Sequence, residues 1–194
     1  MIRLTEDHDE LVLGYLDEVW WSRFSQPKVR RWVFDKPLRM VQRDADKTDA
    51  EPKAIACYGL LRKDTGQVKI RFLEERPISQ MTISFLKWII EELVKEGKKA
   101  LFLIWDNATW HNSKMVCKWI KENNQKAKQA GGVRIIRCQL PSKSPWLNPI
   151  EPHWMHGKKA ICEPNAELTK EIIEQRVCEY FNSEQLPKLS NNVT

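Results

Sequence analysis

A chain of 194 residues, 42% hydrophobic and 30% charged, has room for one sizeable core, and a single domain over residues 1–194 is expected. No apolar run approaches the roughly 20 residues of a membrane span, and MIRLTEDHDE carries acids where a secretory signal has basic and then apolar residues, so membrane and secreted classes are set aside and a cytoplasmic protein is expected. The net charge of +6 favours polyanionic partners without naming one.

In chain order, LVLGYLDEVWW from Leu11 to Trp21 alternates and is rich in apolar and aromatic residues, which predicts a strand. From Ser22 to Pro52 the pattern is irregular and broken by Pro27, Pro37 and Pro52, with room for a short strand near Leu38 to Gln42. Lys53–Leu61 and Gln67–Glu74 form a predicted hairpin around Asp64, Thr65 and Gly66. Ser79–Glu96 spaces Met81, Phe85, Trp88, Ile89 and Leu93 as one face of a helix, with Gly97 as its stop. Lys99–Trp105 is a continuous apolar run, as in a strand covered on both faces. A helix over Ser113–Ala130 ends at Gly131 and Gly132, and Val133–Leu140 is the next strand. A proline-rich loop then leads to a helix starting at Asn148. The last helix, Thr169–Phe181, turns Ile172, Ile173, Val177 and Tyr180 inward. This order implies an α/β fold with a mixed sheet flanked by helices, the order of a ribonuclease-H-like fold.

The five cysteines Cys57, Cys117, Cys138, Cys162 and Cys178 are scattered and contain no CxxC pair, so they read as reduced core residues. His153 and His156 lie closer together than the usual zinc spacing, and no structural zinc is expected.

The chemistry-bearing residues are acids. Asp106 ends the apolar strand in LFLIWDNATWH, Glu151 sits on the proline-stiffened PSKSPWLNPIEPHW, and Asp17 lies inside the first strand. Such carboxylates are hard-oxygen ligands without soft partners, suited to Mg²⁺ or Mn²⁺, and two such ions can drive phosphodiester cleavage and strand transfer. Each acid also has an ordinary reading. Asp17 and Glu18 point to opposite faces of a strand, so only one can serve a given site; if Asp17 serves it, Glu18 must point away. Asp106–Asn107 is turn chemistry. Asn148, Pro149 and Glu151 can form a capping box, which would tie Glu151 to the helix start instead of a metal. His111 can meet a metal-bound water or phosphate, or be a packed or capping histidine. Trp154 reads as a core anchor, whereas Trp146, in a Pro-bounded loop beside Lys143, is the better candidate to stack on DNA bases. Basic residues cluster at Lys28, Arg30 and Arg31, at Lys98 and Lys99, and at Lys158 and Lys159.

The segments YLDEVWW, LFLIWDNATWH and LPSKSPWLNPIEPHWMHGKKA resemble the three signature blocks of mariner-like DDE transposases, in the branch found in bacterial insertion sequences. The third block is the most specific, and the resemblance runs from about Leu11 to the final helix. It implies a ribonuclease-H-like fold, Asp17, Asp106 and Glu151 as the metal-binding catalytic acids, and two Mg²⁺ or Mn²⁺ ions. It further implies cleavage of transposon-end DNA and joining to target DNA, near the nucleoid; from the residues themselves, Lys143, Trp146, Lys158, Lys159 and His111 are the candidate DNA contacts. The Asp106–Glu151 gap exceeds the family's commonest spacing, and the excess falls in the polar ENNQKAKQAGG, where insertion is tolerated. The family's N-terminal helix-turn-helix region is not matched, so a catalytic half acting as a homodimer or with a separate DNA-binding subunit is the expectation. The alternative is a truncated, non-catalytic chain that binds DNA or a partner transposase.

Overall fold

The structure, a computed structural model, describes residues 2–24, 30–31, 38–39, 48–142, 144–161 and 168–190. A short helix α1 (Ile2–Glu6) precedes the long strand β1 (Leu11–Ser22). A two-residue ribbon follows, β2 (Arg30–Arg31) against β3 (Leu38–Arg39). Then come the hairpin β4 (Ala54–Arg62) and β5 (Val68–Phe72), the helix α2 (Ser79–Lys95), strand β6 (Ala100–Trp105), helix α3 (Lys114–Ala130) and strand β7 (Arg134–Gln139). A 3₁₀ turn, Pro145–Leu147, leads into α4 (Glu151–Ile161), and α5 (Lys170–Tyr180) comes last.

The five-stranded sheet has the order β5-β4-β1-β6-β7. The β4–β5 hairpin turns at Gly66, whose φ of 67° is open to glycine at no steric cost. β1 runs antiparallel to β4 and parallel to β6, and β6 runs parallel to β7. This is the mixed sheet that the element order implies, with β1 at its centre between β4 and β6.

Both sheet faces are covered, and the alternation of β1 sorts its residues between them. Val12 and Leu16 join Phe85, Ile89, Val116 and Ile120 beneath α2 and α3. Leu13, Tyr15, Val19 and Trp21 join Trp154, Ile161, Ile173 and Val177 beneath α4 and α5. The same alternation places Leu101, Leu103 and Trp105 of β6 with the first layer and Phe102 and Ile104 with the second. Each layer stabilises the sheet by removing apolar surface from water, about 25 cal/mol per Å².

Three expectations are corrected. The helix expected from Asn148 begins at Glu151, because Asn148 is buried and its side-chain amide donates to the carbonyl of Leu16 in β1 at 3.1 Å. The residue is occupied in tethering the loop to the sheet. The inner face of α5 comprises Ile173, Glu174, Val177 and Cys178, while Ile172 and Tyr180 are exposed; Ile172 and Ile173 fit two overlapping helical stripes, and docking selects one. Trp88, assigned to the buried face of α2, is only partly buried against the core. Of the expected strand at Leu38 to Gln42, Leu38–Arg39 is present, and residues 40–42 lie outside the described region, as do Lys28 and Cys162.

Candidate active site

Asp17 pairs across the β1–β4 ladder with Gly59. A Cβ at Gly59 would lie 2.2 Å from Cη2 of Trp154, so the missing side chain is what lets that indole approach the sheet. From there Trp154 donates Nε1–H to Oδ2 of Asp17 at 3.0 Å. Trp154 is clamped by edge contacts with Trp21 at 6.1 Å and Phe181 at 5.5 Å. Gly157, one turn on, lets the Trp21 ring press close to the same helix, since a Cβ there would meet it at 2.9 Å. Helix α4 is thereby docked with its first residue, Glu151, near Asp17.

Burial, and then the charges of Glu18 and Glu151, push the Asp17 carboxyl up to about 7, against the indole bond, which lowers it. The alternative role of Glu151 in a capping box is not seen: Glu151 donates its backbone N–H to the carbonyl of Asn148 at 3.1 Å, and no described residue hydrogen-bonds to the Glu151 carboxylate. Pro152, in the first turn of α4, needs no hydrogen-bond acceptor. The side chain of Glu151 is therefore left to the Asp17 neighbourhood.

Asp106 stands one residue beyond β6. The parallel register pairs Tyr15 with Ile104, and continuing it by two residues sets Asp106 beside Asp17, in neighbouring rows about 5 Å apart. Its Oδ1 accepts from the backbone of Ala108 at 2.9 Å, an Asx turn that folds the chain back after the strand. Asn107 ties the turn to the carbonyl of Leu140. The returning chain places His111 on Trp105, with ring centroids 4.8 Å apart and planes 5° from parallel.

His111 is a correction to the DNA-contact expectation: it is wholly buried and so cannot touch a ligand in solvent. Its Nδ1 lies 2.8 Å from Oδ1 of Asp106 and its Nε2 lies 2.7 Å from Oε1 of Glu18. Burial works against charge on the imidazole, but the bonds to Asp106 and Glu18 outweigh it and raise the group to about 9. The bond to His111 in turn lowers Asp106, against partial burial. Glu18 points away from Asp17 as expected, onto the α2–α3 face, where it also accepts from Nε1 of Trp110 at 2.7 Å. The roles of Glu18, Trp110 and Trp154 around the acids were not legible in the sequence. The Asp17–Glu18 dipeptide was the one available signal, since a strand must send the second acid to the opposite face.

Trp146 is 74% exposed, which removes the alternative that it anchors its loop to the core. Lys158 and Lys159 are exposed on α4, and Lys158, seven residues after Glu151, lies on the same side of the helix. Lys143 lies outside the described residues.

Asp17 and Glu151 are thus brought together, while Asp106 stands at the end of the neighbouring strand, held from behind by His111. Among the described residues no three His, Cys, Asp or Glu side chains form a ready-made metal cluster. The donor set nonetheless suits a hard divalent cation: all three acids offer oxygen, the oxygens of Glu151 and Oδ2 of Asp106 have no hydrogen-bond partner among the described residues, and Asp17 is crowded by negative charge that a cation would offset.

The chain is similar in structure to the Mos1 transposase paired-end complex with left transposon end, with a TM-score of 0.60 and 15% identity over 95% of this chain and 52% of that one. It is likewise similar to the Mos1 strand transfer complex, at 0.56 and 13% over 95% and 51%, and to the Mos1 mariner paired-end complex with Mn, at 0.57 and 17% over 91% and 49%. The fold is therefore ribonuclease-H-like, and the chain spans about half the length of these transposase chains. No curated protein matches it in sequence. The family model for DDE superfamily endonucleases matches residues 13–173, a span that includes Asp17, Asp106 and Glu151, and the chain belongs to the DDE endonuclease superfamily.

Proposed function

We propose that this chain is a DDE transposase catalytic domain that cleaves DNA at transposon ends and joins the freed 3′-hydroxyl to target DNA. The observation that carries the reading is the docking of α4 through Trp154 and Gly59, which sets Glu151 near Asp17 at the end of the sheet where β6 delivers Asp106. The solved Mos1 complexes with Mn and Mg support divalent-metal chemistry, and the complex with a left transposon end supports DNA as the substrate.

In this reading Asp17, Asp106 and Glu151 would hold two Mg²⁺ or Mn²⁺ ions. Bound there, the ions would activate the attacking oxygen and stabilise the leaving one. Lys158 and Lys159 would bind backbone phosphates, which positions DNA without reading its sequence. Trp146, exposed at the loop before α4, would stack on an unpaired base near the cut.

The test is cleavage of supercoiled plasmid with Mn²⁺, comparing the wild-type chain with Asp106→Ala. Nicked or linear product from wild type alone is expected. Equal cleavage by the two proteins, or none by a folded wild-type chain that binds DNA, overturns the reading; the second outcome favours a non-catalytic DNA-binding chain.

A further inference from the structure

We propose that Glu18 and His111 are positioning residues for Asp106, acting from the sheet face opposite Asp17; the inference rests on the assignment of Asp106 as a cation ligand. Glu18 is the neighbour of Asp17 in sequence, but the strand sends it beneath α2 and α3, where its side chain is only 8% exposed. One of its oxygens, Oε1, accepts from Nε1 of Trp110 and faces Nε2 of His111, both at 2.7 Å. The His111 ring then passes the constraint on, with Nδ1 2.8 Å from Oδ1 of Asp106.

Three features make this more than a packed histidine. Both ring nitrogens are committed, and the ring is stacked on Trp105, so rotation about either χ angle breaks a hydrogen bond or the stack. The contacts on Asp106 converge on one oxygen: Oδ1 receives Ala108 and His111, while no described residue bonds to Oδ2. A half-exposed aspartate on a turn would otherwise sample several rotamers; here one oxygen is held and the other is left facing outward for a cation. Burying Glu18 is also a poor way to stabilise a fold, because desolvating a carboxylate costs more than an apolar side chain of similar size. Outer partners of metal-binding side chains orient them in this manner.

The test combines three measurements on wild type, Asp106→Asn, Glu18→Gln, His111→Ala and His111→Asn: Mn²⁺ binding followed by the electron paramagnetic resonance of free Mn²⁺, plasmid cleavage kinetics, and thermal unfolding. Glu18→Gln and His111→Ala are expected to weaken Mn²⁺ binding by about 10–100-fold and to lower kcat with KM for DNA unchanged. His111→Asn should recover part of the affinity, since its amide nitrogen can stand near the place of Nδ1. Glu18→Gln, close in shape to the original residue, carries the test where His111→Ala fails to fold. If folded Glu18→Gln and His111→Asn bind Mn²⁺ as wild type does and only melt earlier, the pair merely holds the turn to the sheet and the proposal is wrong. If Asp106→Asn itself leaves Mn²⁺ binding unchanged, it is the assignment of Asp106 as a ligand that fails, and the positioning role fails with it.

Discussion

Gly59 and Trp154 meet so closely that a single methyl group at position 59 would overlap the indole, at 2.2 Å from Cη2 and 2.6 Å from Cζ2. Because Gly59 is the cross-strand partner of Asp17, this contact decides both how near α4 lies to the sheet and whether the indole reaches the acid. Gly59→Ala is therefore expected to lower stability by about 1–3 kcal/mol, since Trp21 and Phe181 leave the ring little room to shift. For a domain of this size each kcal/mol lowers the melting temperature by about 2–4 °C. An unchanged melting curve would show that α4 is free to lift away.

Trp154→Phe separates packing from hydrogen bonding at the same place. The aromatic clamp would be kept in part, but Asp17 would lose the donor that opposes its raised pKa. The carboxyl resonance of Asp17, followed by NMR against pH, should titrate higher in the variant than in wild type. A lower or equal midpoint would mean that the indole does not stabilise the carboxylate.

Asp17 also sets a pH dependence of stability in protein free of divalent ions. With its pKa raised from the ordinary carboxylate range to about 7, the folded state holds the proton more tightly than the unfolded chain. Its contribution is fully present below about pH 4, shrinks as pH rises toward 7 and is absent above that. Asp17→Asn should flatten this trend between about pH 4 and 7 and melt later than wild type at pH 8. Adding Mn²⁺ at pH 8 should stabilise wild type, by about 2.7 kcal/mol at a hundredfold excess over the dissociation constant, and not Asp17→Asn. Thermal scans across pH, with and without Mn²⁺, decide the matter; parallel curves for the two proteins would refute the assignment.

Trp146, with most of its surface in solvent, should be dispensable for folding. Trp146→Ala is expected to change stability by no more than about 0.5 kcal/mol and to weaken single-strand or frayed-end DNA binding by about 1–3 kcal/mol. Undiminished DNA affinity would leave the exposed indole without a role at the site.

Binding of duplex DNA should weaken steeply with salt, as expected of contacts to phosphate. Lys158→Ala should lower affinity for all sequences alike and reduce the salt slope by about one. A sequence-dependent loss would point to base contact from α4 instead.

The elements, and the place of Asp106 at the end of a strand, were legible along the chain because they depend on local rules. Alternation marks β1, a continuous apolar run marks β6, Ser113 and Thr169 cap the helices that follow them, and an acid at the end of an apolar strand marks Asp106. Which face each residue serves was not local. β1 is apolar on both sides, so nothing in LVLGYLDEVWW tells Asp17 from Glu18 until helix α4 covers one face and α2 with α3 the other. The stripe of α5, the tethering of Asn148 to β1 and the burial of His111 share that cause. Each depends on a partner brought close by folding from far along the chain, as in the 132 residues between Asn148 and Leu16 and the 93 between His111 and Glu18. Sequence periodicity constrains direction along one element, whereas the choice between two equally apolar surfaces is made by the free energy of packing them against a third.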